Sequence, residues 1–297
     1  MLSGYCPTAA VVEEVGKIAR ERKLKAAIKP GSFFWVLDPV IGDNGRIYVD
    51  EAEVPVYRNL LKDADLILPN QFEAELLSEV KIHDLESMAT AIGKLHSVHR
   101  VPHVLITSIR LPATQATTPT TSKEGEGEGV KLSVIGSTAK SDMKPRLFRI
   151  TVPALPVFFS GTGDMFAATL VARLRQAAKT ADVIDKASWM SEDDVSAAEL
   201  PLAKAVEKVL ASMHAILKDT AEHYEAAVKK WDEGARHQEG TGEEDEDTQR
   251  HLMLTRAAEV RVVRNAKVLI EPPNLEDFKA QAVMMESDPG VETREGG

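Results

Sequence analysis

Four short polar clusters in this sequence carry residue types that can handle phosphate, a metal ion and a proton. The richest is Ser160-Gly161-Thr162-Gly163-Asp164, which ends an apolar run and precedes an alanine- and leucine-rich segment reaching Arg175. That order describes a strand or loop feeding the N-terminus of a helix. Glycine lets the backbone approach a ligand closely. The first N–H groups of a helix have no intrahelical acceptor and attract anions. A carboxylate beside such an anion hole can take the proton of a hydroxyl that attacks a phosphate. A second reading is equally open on these residues alone: the glycines make a tight turn, and Asp164 neutralises the helix dipole.

The other clusters are Asp38-Pro39-Val40-Ile41-Gly42-Asp43, Asn70-Gln71-Phe72-Glu73 and Thr107-Ser108. Two nearby carboxylates, Asp38 and Asp43, repel each other and favour a cation between them, or between them and a polyphosphate; they also suit a loop with helix-capping aspartates. Asn70 and Glu73, three apart, face one side of a helix start. Glu73 suits an indirect contact to magnesium, which keeps several waters, and the pair equally reads as a capping box. Thr107 and Ser108 offer two hydroxyls, which also fit a plain turn cap. His96, His99 and His103 make no metal set, because Pro102 breaks their helical register and no cysteine or carboxylate completes it. Cys6 has no histidine partner in the sequence, and neither a P-loop nor a G-x-G-x-x-G fingerprint is present.

The elements that must hold these clusters alternate. Residues 1–6 read as the end of a strand, and Thr8 as the N-cap of a helix in which Val11, Val12, Val15, Ile18 and Ala19 recur at helical spacing. Short apolar runs at 33–37, 66–68 and 104–106 read as buried parallel strands. Helices are expected at 54–61, 72–77, 85–96, 167–175 and 202–217. A hairpin or two edge strands are expected at 131–135 and 147–152, and a last helix and strand at 257–263 and 268–270. Strands alternating with helices indicate an α/β fold. In such sheets ligands bind at the carboxyl ends of strands, and each apolar run here stops at one of the polar clusters. That coincidence points to a single shared site.

The chain has 297 residues, 43% hydrophobic and 28% charged, with a net charge of −10. This balance argues against nucleic acid or an anionic membrane as partner. It leaves an anionic small ligand open, because local dipoles and a metal outweigh global charge. The one cysteine, Cys6, allows no intramolecular disulfide, which fits a reducing compartment and predicts a cytoplasmic or nuclear location. No apolar stretch is long enough to span a membrane; the closest, 155–174, is interrupted by Asp164 and two glycines. One domain is expected over 1–283, with a solvated insert at 114–129, an acidic segment without regular structure at 233–249, and a loose tail at 284–297.

Taken in order, Asp-Pro-Val-Ile-Gly-Asp at 38–43, Pro-Asn-Gln-Phe-Glu-Ala-Glu-Leu-Leu at 69–77, Thr-Ser at 107–108 and Gly-Thr-Gly-Asp-Met-Phe-Ala-Ala at 161–168 resemble the ribokinase-like superfamily. More narrowly, they resemble its eukaryotic pyridoxal kinases. Ser3-Gly4-Tyr5 matches a family turn, and 259–263 resembles a segment near the family's C-terminus. The resemblance covers most of 1–111, 131–218 and 257–283.

The resemblance implies a three-layer sandwich with a mostly parallel central sheet, and ATP-dependent phosphorylation of the 5′-hydroxymethyl group of pyridoxal, pyridoxine and pyridoxamine. It implies Asp164 as the base and Gly161, Thr162 and Gly163 as the anion hole. Asp38 and Asp43 would lie at the cation and phosphate site. Asn70 and Glu73 would hold ATP phosphates and the Mg2+ shell. Thr107 and Ser108 would meet nucleotide and a monovalent cation such as K+, Leu155 and Val157 the adenine, and Tyr5 the vitamin. A homodimer is also implied. Leu68 stands where the family has a threonine beside the monovalent cation. The family's first strands and helices, with vitamin contacts and a lid, precede the point where the resemblance starts. The expectation is therefore an N-terminally truncated fold, poorly stable and weakly active alone. Two alternatives stay open: another vitamin kinase of the superfamily, such as one for hydroxymethylpyrimidine, and an inactive ATP-binding chain that associates with a full-length subunit.

Overall fold

The computed structural model describes residues 1–109, 131–155, 159, 161–235 and 243–284. The expected insert at 114–129, the tail beyond 284, Val157 and the side chain of Ser108 lie outside the described residues.

The inner parallel strands are buried and largely apolar, and successive residues point to opposite sides of the sheet. The strands are β1 (Leu2–Ser3), β2 (Val36–Leu37), β5 (Leu66–Ile67) and β6 (His103–Ile109), all parallel and adjacent in that order. The sheet continues antiparallel through β7 (Lys131–Ala139), β8 (Pro145–Pro153) and β9 (Gln281–Ala282), so its seven strands run β1-β2-β5-β6-β7-β8-β9. A small antiparallel hairpin, β3 (Gly42–Asp43) with β4 (Arg46–Ile47), stands apart from it.

The alternation within the strands divides the core into two. Val36, Leu66, Leu105, Val134 and Phe148 bury on one face, under α5 (Thr162–Thr180) and α6 (Pro201–Ala235). Leu37, Ile67, Val104, Ile106, Ile135 and Leu147 bury on the other. There they meet α1 (Ala9–Ala26), α2 (Glu53–Leu60), α3 (Gln71–Ser78) and α4 (Leu85–Ser97). This is the three-layer α/β arrangement the sequence predicts.

Helix starts follow local cap chemistry. Thr8 Oγ1 accepts from the Val11 N–H at 3.4 Å, and Asn70 and Asp84 each open a capping box. Some expectations fail. Residues 268–270 are not a strand: they belong to a short helix, α8 (Ala266–Ile270). Residues 258–265 form turns rather than a helix. The acidic stretch, expected to lack regular structure, opens α7 (Glu243–Ala257), which lies against α6. Acidic residues favour the N-terminal turn of a helix, and docking on α6 supplies what local charge does not. Thr107 and Ser108 are not past the end of a strand but inside β6, where its register with β7 shifts between Ile106 and Ile109. Among the described residues no helix is long and apolar enough to cross a membrane.

Candidate active site

The carboxyl ends of the parallel strands gather the polar clusters. Asp38 follows β2, and its N–H donates to the Ser3 carbonyl at 2.8 Å, tying it to the end of β1. Asn70 follows β5 and forms a parallel bridge with Thr107, whose N–H donates to the Pro69 carbonyl at 3.3 Å. The residue just past β5 and the interior of β6 thus bring Asn70 and Thr107 side by side. Asp164 sits in the first turn of α5, exposed.

Asp164 lies near enough to Asp38 for its charge to act on the Asp38 carboxyl, although the chain separates them widely. Burial, with the charge of Asp164 adding to it, pushes the Asp38 carboxyl up to about 6. Glu73 joins this set. Burial pushes it up to about 7 against the pull of three backbone N–H donors, and Asp38 adds to the rise. A carboxylate raised in this way by burial and a second acid suits a bound cation.

Gly161 caps α5 in the left-handed region at φ +76, which favours glycine. The first intrahelical bond there runs from the Met165 N–H to the Gly161 carbonyl at 3.2 Å. The N–H groups of Thr162, Gly163 and Asp164 therefore precede any intrahelical acceptor. Among the described residues, a Cβ added at Gly161 or Gly163 would meet nothing within 4 Å. These features suit a phosphate group.

Other predicted residues stand apart. Asp43 lies on the exposed β3–β4 hairpin, and its carboxylate accepts from the Asn44 N–H at 2.7 Å and Nδ2 at 3.0 Å. Among the described residues no three His, Cys, Asp or Glu side chains form a ready metal cage, so Asp38, Asp43 and Glu73 do not converge as expected. The physical reason is that Asp43 is drawn into its own turn and Glu73 is engaged by backbone N–H groups. Leu155 is half-buried past β8, Tyr5 is exposed past β1, and Leu68 is buried and brings no side-chain oxygen. The histidines serve separate structural bonds, His96 with Val101 and Ser137, His103 with Thr138 and Ser188.

One feature has no local sequence signal. A groove of about 730 Å³ opens beside Asp164, walled by Ala168 and Ala172 of α5 and by Val262, Leu269 and Ile270. Arg173 fixes that wall, donating to the carbonyls of Leu269 at 2.5 Å and Ile270 at 2.9 Å. The wall comes from residues about a hundred positions downstream of Asp164, so only the tertiary fold exposes it.

Comparison with known proteins agrees with the α/β fold. A family model described as phosphomethylpyrimidine kinase matches residues 14–139. A pyridoxal kinase homologue of Schizosaccharomyces pombe is 35% identical over 227 residues, 76% of this chain and 63% of that one. Homo sapiens pyridoxal kinase is 36% identical over 182 residues, 58% of this chain and 53% of that protein. The structure of Leishmania donovani pyridoxal kinase in complex with ADP and ginkgotoxin superposes with a TM-score of 0.64 at 25% identity, covering 95% of this chain and 73% of that one. In fold and over much of its sequence the chain is similar to pyridoxal kinases. It spans less than two thirds of the length of the two relatives named.

Proposed function

We propose that this chain carries the phosphoryl-transfer centre of an ATP-dependent kinase whose acceptor is the 5′-hydroxymethyl group of a B6 vitamer. The observation that carries the reading is the exposed Asp164 in the first turn of α5, directly after the left-handed Gly161 and beside the groove. Asp164, exposed beside the groove, takes the proton of the acceptor hydroxyl as its oxygen bonds to the γ-phosphorus and ADP departs. The N–H groups of the first α5 turn hold the transferring phosphoryl oxygens, and Gly161 supplies the backbone conformation that exposes them. Mg2+ carried in with ATP would neutralise phosphate charge, and Asp38 is the carboxylate suited to hold it, because burial and the charge of Asp164 make a bare charge there unfavourable. The apolar groove wall suits an aromatic ring. A cytoplasmic location and a homodimer go with this reading as further expectations.

The name of the family model matched over 14–139 favours a second reading, a pyrimidine acceptor. Both are tested by incubating the purified chain with ATP and Mg2+ and either acceptor, and following the phosphorylated product. Asp164→Asn is expected to lower turnover by roughly 10²–10⁴-fold. Near-normal turnover by that variant rejects Asp164 as the base. Faster turnover with hydroxymethylpyrimidine selects the second reading. ADP binding without product from either acceptor favours a nucleotide-binding chain that works with a longer subunit.

A further inference from the structure

Glu73 is only 4% exposed, and backbone N–H groups occupy its carboxylate. Its Oε1 accepts from the N–H groups of Ile41 at 2.9 Å and Gly42 at 3.2 Å, and its Oε2 from the Asn70 N–H at 2.9 Å. Asn70 grips the same loop from the other side: its Nδ2 donates to the Gly42 carbonyl at 2.7 Å while its Oδ1 accepts from the Glu73 N–H at 2.9 Å. Gly42 is therefore held by both its N–H and its C=O. It also has no room for a side chain, since a Cβ would lie 2.1 Å from the Arg46 carbonyl oxygen.

A capping box accounts for only part of this. It needs the two bonds between Asn70 and Glu73. The bonds to Ile41 and Gly42, 32 and 31 residues away from Glu73, do nothing for the helix end. Turning Glu73 toward a metal would break three charge-assisted bonds and leave buried N–H groups unpaired. We propose that Asn70 and Glu73 are positioning residues, which clamp the 38–43 loop onto the start of α3 and so fix Asp38, and that Glu73 is not a metal ligand. What the clamped loop serves rests on the kinase reading; the clamp itself does not.

Two variants of the full chain separate the roles. Asn70→Asp keeps the cap acceptor but removes the donor to Gly42. Glu73→Gln keeps the size but loses the paired acceptors. Hydrogen exchange at residues 38–43 is measured for each. ADP binding is titrated calorimetrically at a series of Mg2+ concentrations. The expected result is exchange at Ile41 and Gly42 faster by about tenfold or more in both variants. ADP affinity should fall by about tenfold, with the Mg2+ midpoint unmoved. Unchanged exchange in both variants overturns the clamp. A raised Mg2+ midpoint in Glu73→Gln alone makes Glu73 a metal ligand and overturns the second half of the proposal. If the unmutated chain binds no ADP, the kinase reading falls and exchange alone decides the clamp.

Discussion

Glu53 shows what a single residue costs when its surroundings offer nothing in return. It is completely buried in the first turn of α2, and neither carboxylate oxygen has a hydrogen-bond partner among the described residues. The Tyr57 hydroxyl, one turn further on the same helix face, has the Cys6 thiol beside it rather than Glu53. Burial raises the Glu53 carboxyl above its ordinary value, and the charge of Asp50 adds to the rise. An unmade buried hydrogen bond costs about 1–3 kcal/mol. Glu53→Leu should recover it and raise the melting temperature by a few degrees. Thermal denaturation followed by circular dichroism checks this, and a lower melting temperature would mean that Glu53 has a stabilising partner. The contrast with Asp164 explains what is legible at this scale. Asp164 announces itself because glycines, an apolar run and a helix surround it in sequence. Glu53 sits in the polar string Asp50-Glu51-Ala52-Glu53 and reads as an ordinary acidic first turn, since local pattern does not report which helix face is covered.

At the scale of elements, the antiparallel end of the sheet depends on Arg146 of β8. This side chain is 5% exposed and donates only to carbonyls, those of Thr138, Ala139, Ser191, Glu192 and Val195. It ties the β7–β8 hairpin to the segment that leads into α6. Removing it leaves several buried carbonyls without donors, so Arg146→Ala should destabilise the fold by on the order of 3 kcal/mol. Arg146→Lys should recover little, because an ammonium lacks the planar fork that reaches these acceptors. Urea denaturation of the three proteins checks both claims, and a variant within error of the parent would rule out the tie. Elements whose signals are local were readable in advance: the Thr8 cap, the capping box at Asn70 and Glu73, and the apolar strands that stop at polar residues. Elements decided by packing were not. Val268, Leu269 and Ile270 form a short aliphatic run that suits a strand, yet α8 is held through Arg173 on α5 and through the Ser212 hydroxyl, which donates to the Val268 carbonyl at 2.8 Å. The strand β9 has two residues and exists only because β8 offers an edge.

For the whole molecule, buried titratable groups set opposing dependences on pH. His96 and His103 are neutral in the fold. Each donates one ring N–H to a carbonyl, Val101 or Ser188, and accepts at the other nitrogen from Ser137 or Thr138. Burial holds both at about 4, below the ordinary 6.5. The unfolded chain therefore binds more protons between these values, and stability due to the histidines is lost as pH falls from 6.5 to 4. Asp38 and Glu73 act oppositely. Their folded values, about 6 and about 7, lie above the ordinary 3.8 and 4.5. The folded chain binds the extra protons there, so these two contribute stability as pH falls through the same range. Each group contributes a slope of about 1.4 kcal/mol per pH unit where only one state is protonated. Two against two predicts a shallow profile for the chain between pH 6 and 4.5, measured with a chelator to keep metals off Asp38. Substitution should unmask each side. With Asp38→Asn and Glu73→Gln together, stability should fall steeply as pH drops across this window. With His96→Asn and His103→Asn together, it should rise relative to the parent. Parallel profiles for parent and both double variants would mean that these buried groups titrate alike in the folded and unfolded chain, and the opposition would not exist.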